Sequence, residues 1–191
     1  MEKAFNNISK SIDTSINNLE KSEKLNLRTE IIDENEWENF KKIRLEAIEN
    51  EPMAFYVTKS SKEKENNKSD EEWQNELINE NSFIVLSKNN DIPVGMIQAI
   101  CKLKDKNEWH IRGVYLNKDF RGSGCGKDMM NLTLDEINRR GGKVITLNVI
   151  DTQEVARKIY EKLGFEVTSR FEKDIIDGIE YPGGQWMIKN I

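Results

Sequence analysis

The apolar positions of this chain change period several times, and each change marks an element. Phe5, Ile8, Ile12, Ile16 and Leu19 recur every three or four residues in an otherwise Asn- and Ser-rich stretch, the spacing of one helical stripe. Residues 1–24 therefore read as a helical N-terminal extension, either a docking or dimerisation helix or a frayed tail. Its balanced Lys and acidic residues argue against a membrane anchor. "LNLRTEII" predicts a first strand. Trp37, Phe40, Ile43, Ala47 and Ile48 predict a helix over "ENEWENFKKIRLEAIEN", ended by Pro52. "TKSSKEKENNKS" carries no apolar stripe and is expected to be a flexible connection, followed by a short helix over 71–78.

Next come three β-rich runs, "SFIVLSK", "VGMIQAICKLK" and "EWHIRGVYL". They are separated by the turn chemistry of "NNDIP" and "DKN" and are expected to pair antiparallel. The period then returns to helical over Gly124–Arg140, with Met130, Leu134 and Ile137 on one stripe and a stop at Gly141-Gly142. "KVITLNV" is an apolar strand. "TQEVARKIYEKLGF" is a helix with Thr152 as its expected N-cap, and "EVTSRFEKDI" with "QWMIKN" forms a closing hairpin. The order implies an α+β fold, a mixed sheet with helices on both faces and a βαβ unit at its centre.

With 191 residues the chain has the length of one domain. Charged residues at 33% and apolar ones at 37% exclude a fully disordered or membrane-embedded chain. No apolar run could span a bilayer and the first residues lack a signal peptide's layout, so a cytoplasmic location is expected. The net charge of −5, with no Lys/Arg block interleaved with aromatics, argues against a nucleic-acid surface and slightly favours a cationic small substrate. Cys101 and Cys125 form no Cys-x-x-Cys pair and His110 is the single histidine, so no metal site is expected.

The stretch with the most chemistry is "RGSGCGKDMM", Arg121 to Met130. A Walker loop needs Gly five residues before Gly126 and Ser or Thr after Lys127; the chain has Arg121 and Asp128. A dinucleotide fingerprint should leave the strand directly, but "NKDF" intervenes. The spacing that remains is Arg-x-x-Gly-x-Gly, on Arg121, Gly124 and Gly126. Successive amides at a helix N-terminus present positive partial charge, and glycines let phosphate oxygens approach. A plain glycine connector stays open on the loop alone.

Here the chain resembles the GNAT superfamily of acyl-CoA-dependent N-acetyltransferases, whose loop Gln/Arg-x-x-Gly-x-Gly/Ala holds the pyrophosphate of coenzyme A. A second motif of that family, Ala-x-x-x-Tyr-x-x-x-Gly-Phe after a strand and polar turn, is met by Ala156, Tyr160, Gly164 and Phe165. The likeness covers residues 25–191 and implies a twisted mixed sheet of about six to seven strands. It implies acetyl-CoA as cofactor, held by Arg121, Gly122, Ser123, Gly124, Cys125, Gly126 and Lys127, with the amides of Val114, Tyr115 and Leu116 along the pantetheine. Gln153 stands where relatives often carry Asn, which puts that contact in doubt. Cys125 reads otherwise as a small filler.

Acetyl transfer to an amine needs a base, donors for the oxyanion and a proton for the thiolate. The resemblance implies Tyr160 as acid and the Val114–Leu116 amides as oxyanion donors. His110, with an ordinary pKa near 6.5, or Glu108 at the same strand parity, is the expected base. Each also has a bland reading: His110 as a strand residue with a satisfied hydrogen bond, Tyr160 as a core aromatic. Phe55, Tyr56, Trp109, Tyr181 and Trp186 are nominated for the acceptor pocket. The acceptor is expected to be a small-molecule amine rather than a protein, and a homodimer is compatible with the N-terminal stripe. The alternatives are a non-catalytic acyl-CoA sensor of the same fold and an NAD(P)-binding oxidoreductase.

Overall fold

Seven strands form one twisted mixed sheet: β1 (Leu27–Ile31), β2 (Ser82–Asn89), β3 (Ile92–Lys102), β4 (Asp105–Leu116), β5 (Val144–Ile150), β6 (Glu166–Glu172) and β9 (Gly184–Asn190), in the order β1-β2-β3-β4-β5-β9-β6. Two short strands, β7 (Ile175–Ile176) and β8 (Ile179–Glu180), make a separate hairpin. The computed structural model describes residues 25–102, 105–173, 175–176, 178–181 and 183–191. The amphipathic stripe at 1–24 lies outside the described residues. The helices are α1 (Trp37–Asn50), α2 (Lys59–Asn66), α3 (Asp70–Leu77), α4 (Cys125–Arg139) and α5 (Glu154–Lys162).

β2 explains why the sheet carries helices on both faces. Its run of consecutive buried residues cannot leave one face wet. Phe83 and Val85 join one core layer with Met129, Met130 and Ile137 of α4, and with Tyr160 and Phe165. Ile84 and Leu86 join the other with Phe40, Ile43 and Ala47 of α1 and Trp73 of α3. Complete burial of a side chain such as Ile43 contributes about 1.5–3 kcal/mol. Lys88, almost fully buried, bridges Glu30 and Glu36 at 2.8 and 2.7 Å and ties the sheet edge to the approach of α1.

All described neighbours in the large sheet pair antiparallel except β4 and β5, which are parallel as the α4 crossover requires. One stretch differs from its expectation. Residues 59–66, read as a flexible connection, form α2, opened by a capping box between Thr58 and Ser61. None of its residues is buried, so it shows no apolar stripe; its caps and an ion pair from Glu65 to Arg44 hold it. Likewise Gln153, not Thr152, occupies the N-cap of α5, without a side-chain cap bond.

A bulge in β4 sets up the site. Met96 faces Tyr115 and Gln98 faces Arg112, so Gly113 and Val114 together oppose Ile97. Gly113 has φ +62°, a conformation that costs other residues strain. The extra residue reverses the strand's parity. Trp109 and Ile111 point into the α4 layer before the bulge; Val114 and Leu116 pack against that layer after it, while Tyr115 turns to the α1 layer.

Candidate active site

β4 and β5 pair only from Glu108–Val144 to Ile111–Leu147, although both strands continue, to Leu116 and Ile150. The sheet therefore opens at its centre. Donors alternate sides along a strand. Asn117 donates its amide to Val94 of β3 at 2.8 Å, which assigns the Tyr115 amide to β3 as well and leaves the amides of Val114 and Leu116 facing the opening. The Leu116 carbonyl faces the same way, since it accepts from Arg121 Nε at 3.1 Å. Tyr115 contributes no side chain there: its hydroxyl donates to Glu46 at 3.0 Å and accepts from Asn50 at 2.9 Å.

The glycine loop closes one end of this opening. Gly124 is the N-cap of α4 with φ +94° and no side chain to cap the helix, and Gly122 has φ +82°. The amides of Gly122, Gly124 and Gly126 make no hydrogen bond to a described residue, whereas Lys127 and Asp128 donate to the Gly124 carbonyl. A Cβ built at Gly122 or Gly124 meets nothing within 4 Å. Open space and unpaired donors at a helix N-terminus suit an anion such as a pyrophosphate. Lys127 is exposed and forms no ion pair with a described residue.

Three loop residues have other duties. The Arg121 guanidinium donates to Glu51 at 2.8 Å, fastening the loop to β4 and to the residue that follows α1. Ser123 Oγ donates to the Phe120 carbonyl and accepts from the Cys125 amide. Cys125 is buried, its Sγ donates to Ser87 Oγ at 2.9 Å, and burial pushes its thiol up from the ordinary value, so it fills space and is no thiolate.

Tyr160 lies in the α4 layer, the layer into which Val114 and Leu116 pack, with its ring edge-on to Phe165 at 6.1 Å. Its hydroxyl bonds no described residue, and burial pushes its pKa up to about 12. It is a proton donor throughout the neutral range. Gln153, half-buried, forms no side-chain bond to a described residue and is the N-cap of the helix that carries Tyr160 seven residues on.

The expected bases fall elsewhere. Glu108 and His110 lie in the closed part of the β4–β5 pair, on the face turned to α1. Glu108 is ion-paired to Lys102. His110 Nδ1 bonds Thr146 Oγ1 at 3.1 Å and its ring stacks on Trp186 at 5.1 Å. Burial first, then the charges of Arg112 and Lys102, push His110 down to about 4, so its imidazole is neutral and weakly basic at pH 7.

Of the aromatic residues nominated for an acceptor pocket, Trp109 sits on the opposite face, packed on Phe83 in the α4 layer. Phe55 packs on Tyr115 and Tyr56 on Tyr181, whose hydroxyl donates to the Val57 carbonyl. The cavity that reaches the bulge has other walls. It has a volume of about 230 Å³ between α1, α3 and the sheet, and Arg44, Glu65, Glu76, Gln98, Arg112 and Gly113 line it. Asn148, just past the last β4–β5 pair and beside Trp186, has a buried Oδ1 without a partner among the described residues. No local motif points to Asn148 or Arg112; only strand parity in β5 and β4 brings them to the opening.

Among the described residues no group of three or more His, Cys, Asp or Glu could hold a metal ion, and no helix is long and apolar enough to cross a membrane. The sequence model of the acetyltransferase (GNAT) domain matches residues 44–181. An uncharacterised N-acetyltransferase of Methanocaldococcus jannaschii is 28% identical over 103 residues, 52% of this chain and 43% of that protein, so the chain matches less than half the length of that curated relative. The fold is similar to a GNAT-family acetyltransferase of Streptococcus pneumoniae, with TM-score 0.70 and 15% identity over 86% of this chain and 99% of that one. It is also similar to the PaiA N-acetyltransferase of Thermoplasma acidophilum, solved in complex with coenzyme A, with TM-score 0.65 and 17% identity over 87% and 100% of the two chains. The family match runs through α1, the opened sheet, the glycine loop and the tyrosine helix, and the chain belongs to the GNAT acetyltransferase family.

Proposed function

We propose that this chain transfers an acetyl group from acetyl-CoA to a primary amine by direct attack in a ternary complex. The observation that carries the reading is the row of unpaired amides at Gly122, Gly124 and Gly126, opening onto the gap where β4 and β5 part. The loop amides and Lys127 hold the pyrophosphate, and the Val114 and Leu116 edge of β4 pairs the pantetheine arm as a strand would. Gln153 reaches that arm from the start of α5. Acetyl-CoA bound this way supplies a thioester carbonyl for attack and a thiolate as leaving group.

The Val114 amide, fixed by the bulge, donates to the thioester oxygen as negative charge gathers there. As the amine nitrogen bonds to the carbonyl carbon and the C–S bond breaks, Tyr160 donates its proton to the departing sulfur. A phenol near 12 facing a thiol near 8.5 in water is mismatched by about 3.5 pKa units. The burial that lifts the phenol lifts the thiol beside it too, which narrows the gap. The acceptor approaches from the α1 face, where Asn148 Oδ1 can receive one of its N–H groups. With His110 near 4, the surplus proton of the amine leaves to solvent, and the rate follows the acceptor's own ammonium titration.

Tyr160→Phe tests this reading. It should lower turnover by about 10²–10⁴-fold, the usual worth of a positioned acid, while thermal stabilisation by coenzyme A persists. Unchanged turnover would remove Tyr160 as the acid. Stabilisation by NAD(P) and not by coenzyme A would overturn the reading as a whole.

A further inference from the structure

The cavity at the bulge has an uneven distribution of charge. Lys68 bonds both of its carboxylates, Glu65 Oε2 at 2.9 Å and Glu76. Arg44 also pairs with Glu65, at 3.3 Å, and lies over the Phe55 ring at 5.2 Å. Both acidic groups are thus already neutralised by neighbouring cations. Arg112 is different. Its Nε donates to the neutral Gln98 Oε1 at 2.8 Å, and it forms no ion pair with a described residue. Three cations around two carboxylates leave one positive charge over, at Arg112.

Position adds to charge. If the pyrophosphate sits at the α4 N-terminus and the arm runs from Leu116 toward Val114, the acetyl end arrives at Gly113. Gly113 lines this cavity, and Arg112 precedes it by one residue on the α1 face. Gln98 holds the guanidinium through Nε and leaves the outer Nη pair without a bond to a described residue, the fork that matches a carboxylate bidentately. Partial desolvation, and after it the nearby Arg44, push Arg112 below the ordinary guanidinium range against the opposing pull of Glu76 and Glu65, while the side chain stays exposed at the cavity mouth.

We infer that the acceptor is an amine that also carries a carboxylate, as a free amino acid does, and that Arg112 binds this carboxylate and so aims the amine at the opening. The inference rests on the acetyl-transfer reading and narrows its acceptor. It runs against the weak pull toward a cationic substrate that the overall net charge of −5 exerts, because the charge within the cavity has the opposite sign. A diamine would meet there a guanidinium that no described carboxylate pairs directly.

The test uses the full chain, acetyl-CoA and matched acceptor pairs that differ only by the carboxylate: alanine against ethylamine, lysine against cadaverine. Free-thiol release gives kcat/KM for each. The carboxylate-bearing member should be preferred by about tenfold or more, the worth of hydrogen bonds to a charged group. Arg112→Gln should bring the ratio within each pair toward one, mainly through KM, and Arg112→Lys should keep part of it. Thermal stabilisation by coenzyme A reports that each variant is folded and loaded. Equal rates within the wild-type pairs, or a ratio indifferent to Arg112→Gln in a folded variant, would overturn the inference while leaving acetyl transfer intact. Absence of thiol release with every amine, together with no stabilisation by coenzyme A, would instead strike the acetyl-transfer reading beneath it.

Discussion

On the α4 side of the opening between β4 and β5, the groups proposed to hold the cofactor are mainly backbone, the amides of Gly122, Gly124 and Gly126 and the strand edge at Val114 and Leu116, with Lys127 and Gln153 added to them. On the α1 side the groups offered to a ligand are side chains sent from separate elements, Arg44 from α1, Glu76 from α3, Gln98 from β3 and Arg112 from β4. Backbone donors bind what any diphosphate or amide offers and cannot be exchanged by mutation without changing the path of the chain. Side chains can be exchanged singly. The invariant half of the proposed reaction therefore rests on geometry, and its variable half, the choice of acceptor, rests on replaceable charge.

The sharpest way to break this comparison is to put a side chain at a glycine whose backbone alone is proposed to matter. Gly124 and Gly141 share left-handed backbone, φ +94° and +83°, and a Cβ at either meets nothing within 4 Å. Replacement by Ala should strain both alike, by about 1–2 kcal/mol. Gly124→Ala should also place its methyl where phosphate oxygens approach, weakening coenzyme A by about tenfold or more, while Gly141→Ala keeps wild-type affinity. Calorimetric titration of both variants decides; equal affinities would remove the loop from the cofactor site.

The same contrast governs what could be read from the sequence. The loop and the helix of Tyr160 are each local, their functional atoms fixed by spacing within about one or two turns of helix, and so they stand out in the primary structure. The acceptor side is assembled from residues between 44 and 148, and the strand edge beside it is set by a single extra residue at Gly113 inside a run that reads as regular strand. Plain alternation sends Trp109 to the α4 core and Arg112 to the cavity, and the bulge reverses that alternation only from Val114 onward, turning Val114 and Leu116 to the α4 layer. Aromatic character alone nominated Trp109, although its parity opposite to Glu108 and His110 places it on the α4 face. α2 went unread for another reason: it buries nothing, and the Thr58–Ser61 caps were its only local signal. Seven strands, their order of appearance and the central parallel crossover were legible, because apolar periodicity records burial directly.

A smaller effect separates the two cations of the loop. Arg121 is held by the Leu116 carbonyl and Glu51, whereas Lys127 is exposed and unpaired among the described residues. Lys127→Gln should weaken coenzyme A about three- to tenfold at low salt, an effect that fades as ionic strength rises. Arg121→Gln should change affinity less and lower the melting temperature instead, since it unties the loop from β4. Titrations at two salt concentrations with a parallel melting curve separate the outcomes; a larger affinity loss at Arg121 would mean that its guanidinium turns to the phosphates on binding.

His110 provides the smallest expected effect on rate and the clearest on acid stability. Its imidazole is proposed to carry no proton from the acceptor, so His110→Gln should leave any limb of the pH–rate profile between about pH 6 and 8 in place. Loss of that limb would restore His110 as base. Folding should respond differently. The native imidazole titrates near 4 and the unfolded one near 6.5, so between these values the unfolded chain binds the extra proton. The native state is therefore fully stabilised by this site above about 6.5 and loses that advantage as pH falls toward 4, by at most about 1.4 kcal/mol per pH unit. Removing the imidazole should flatten this part of the stability profile. Denaturant melts of wild type and His110→Gln at pH 7 and pH 5 measure it: the gap between the two pH values should shrink in the variant, and an unchanged gap would place the imidazole in a wetter site than the Thr146 bond and the Trp186 ring create.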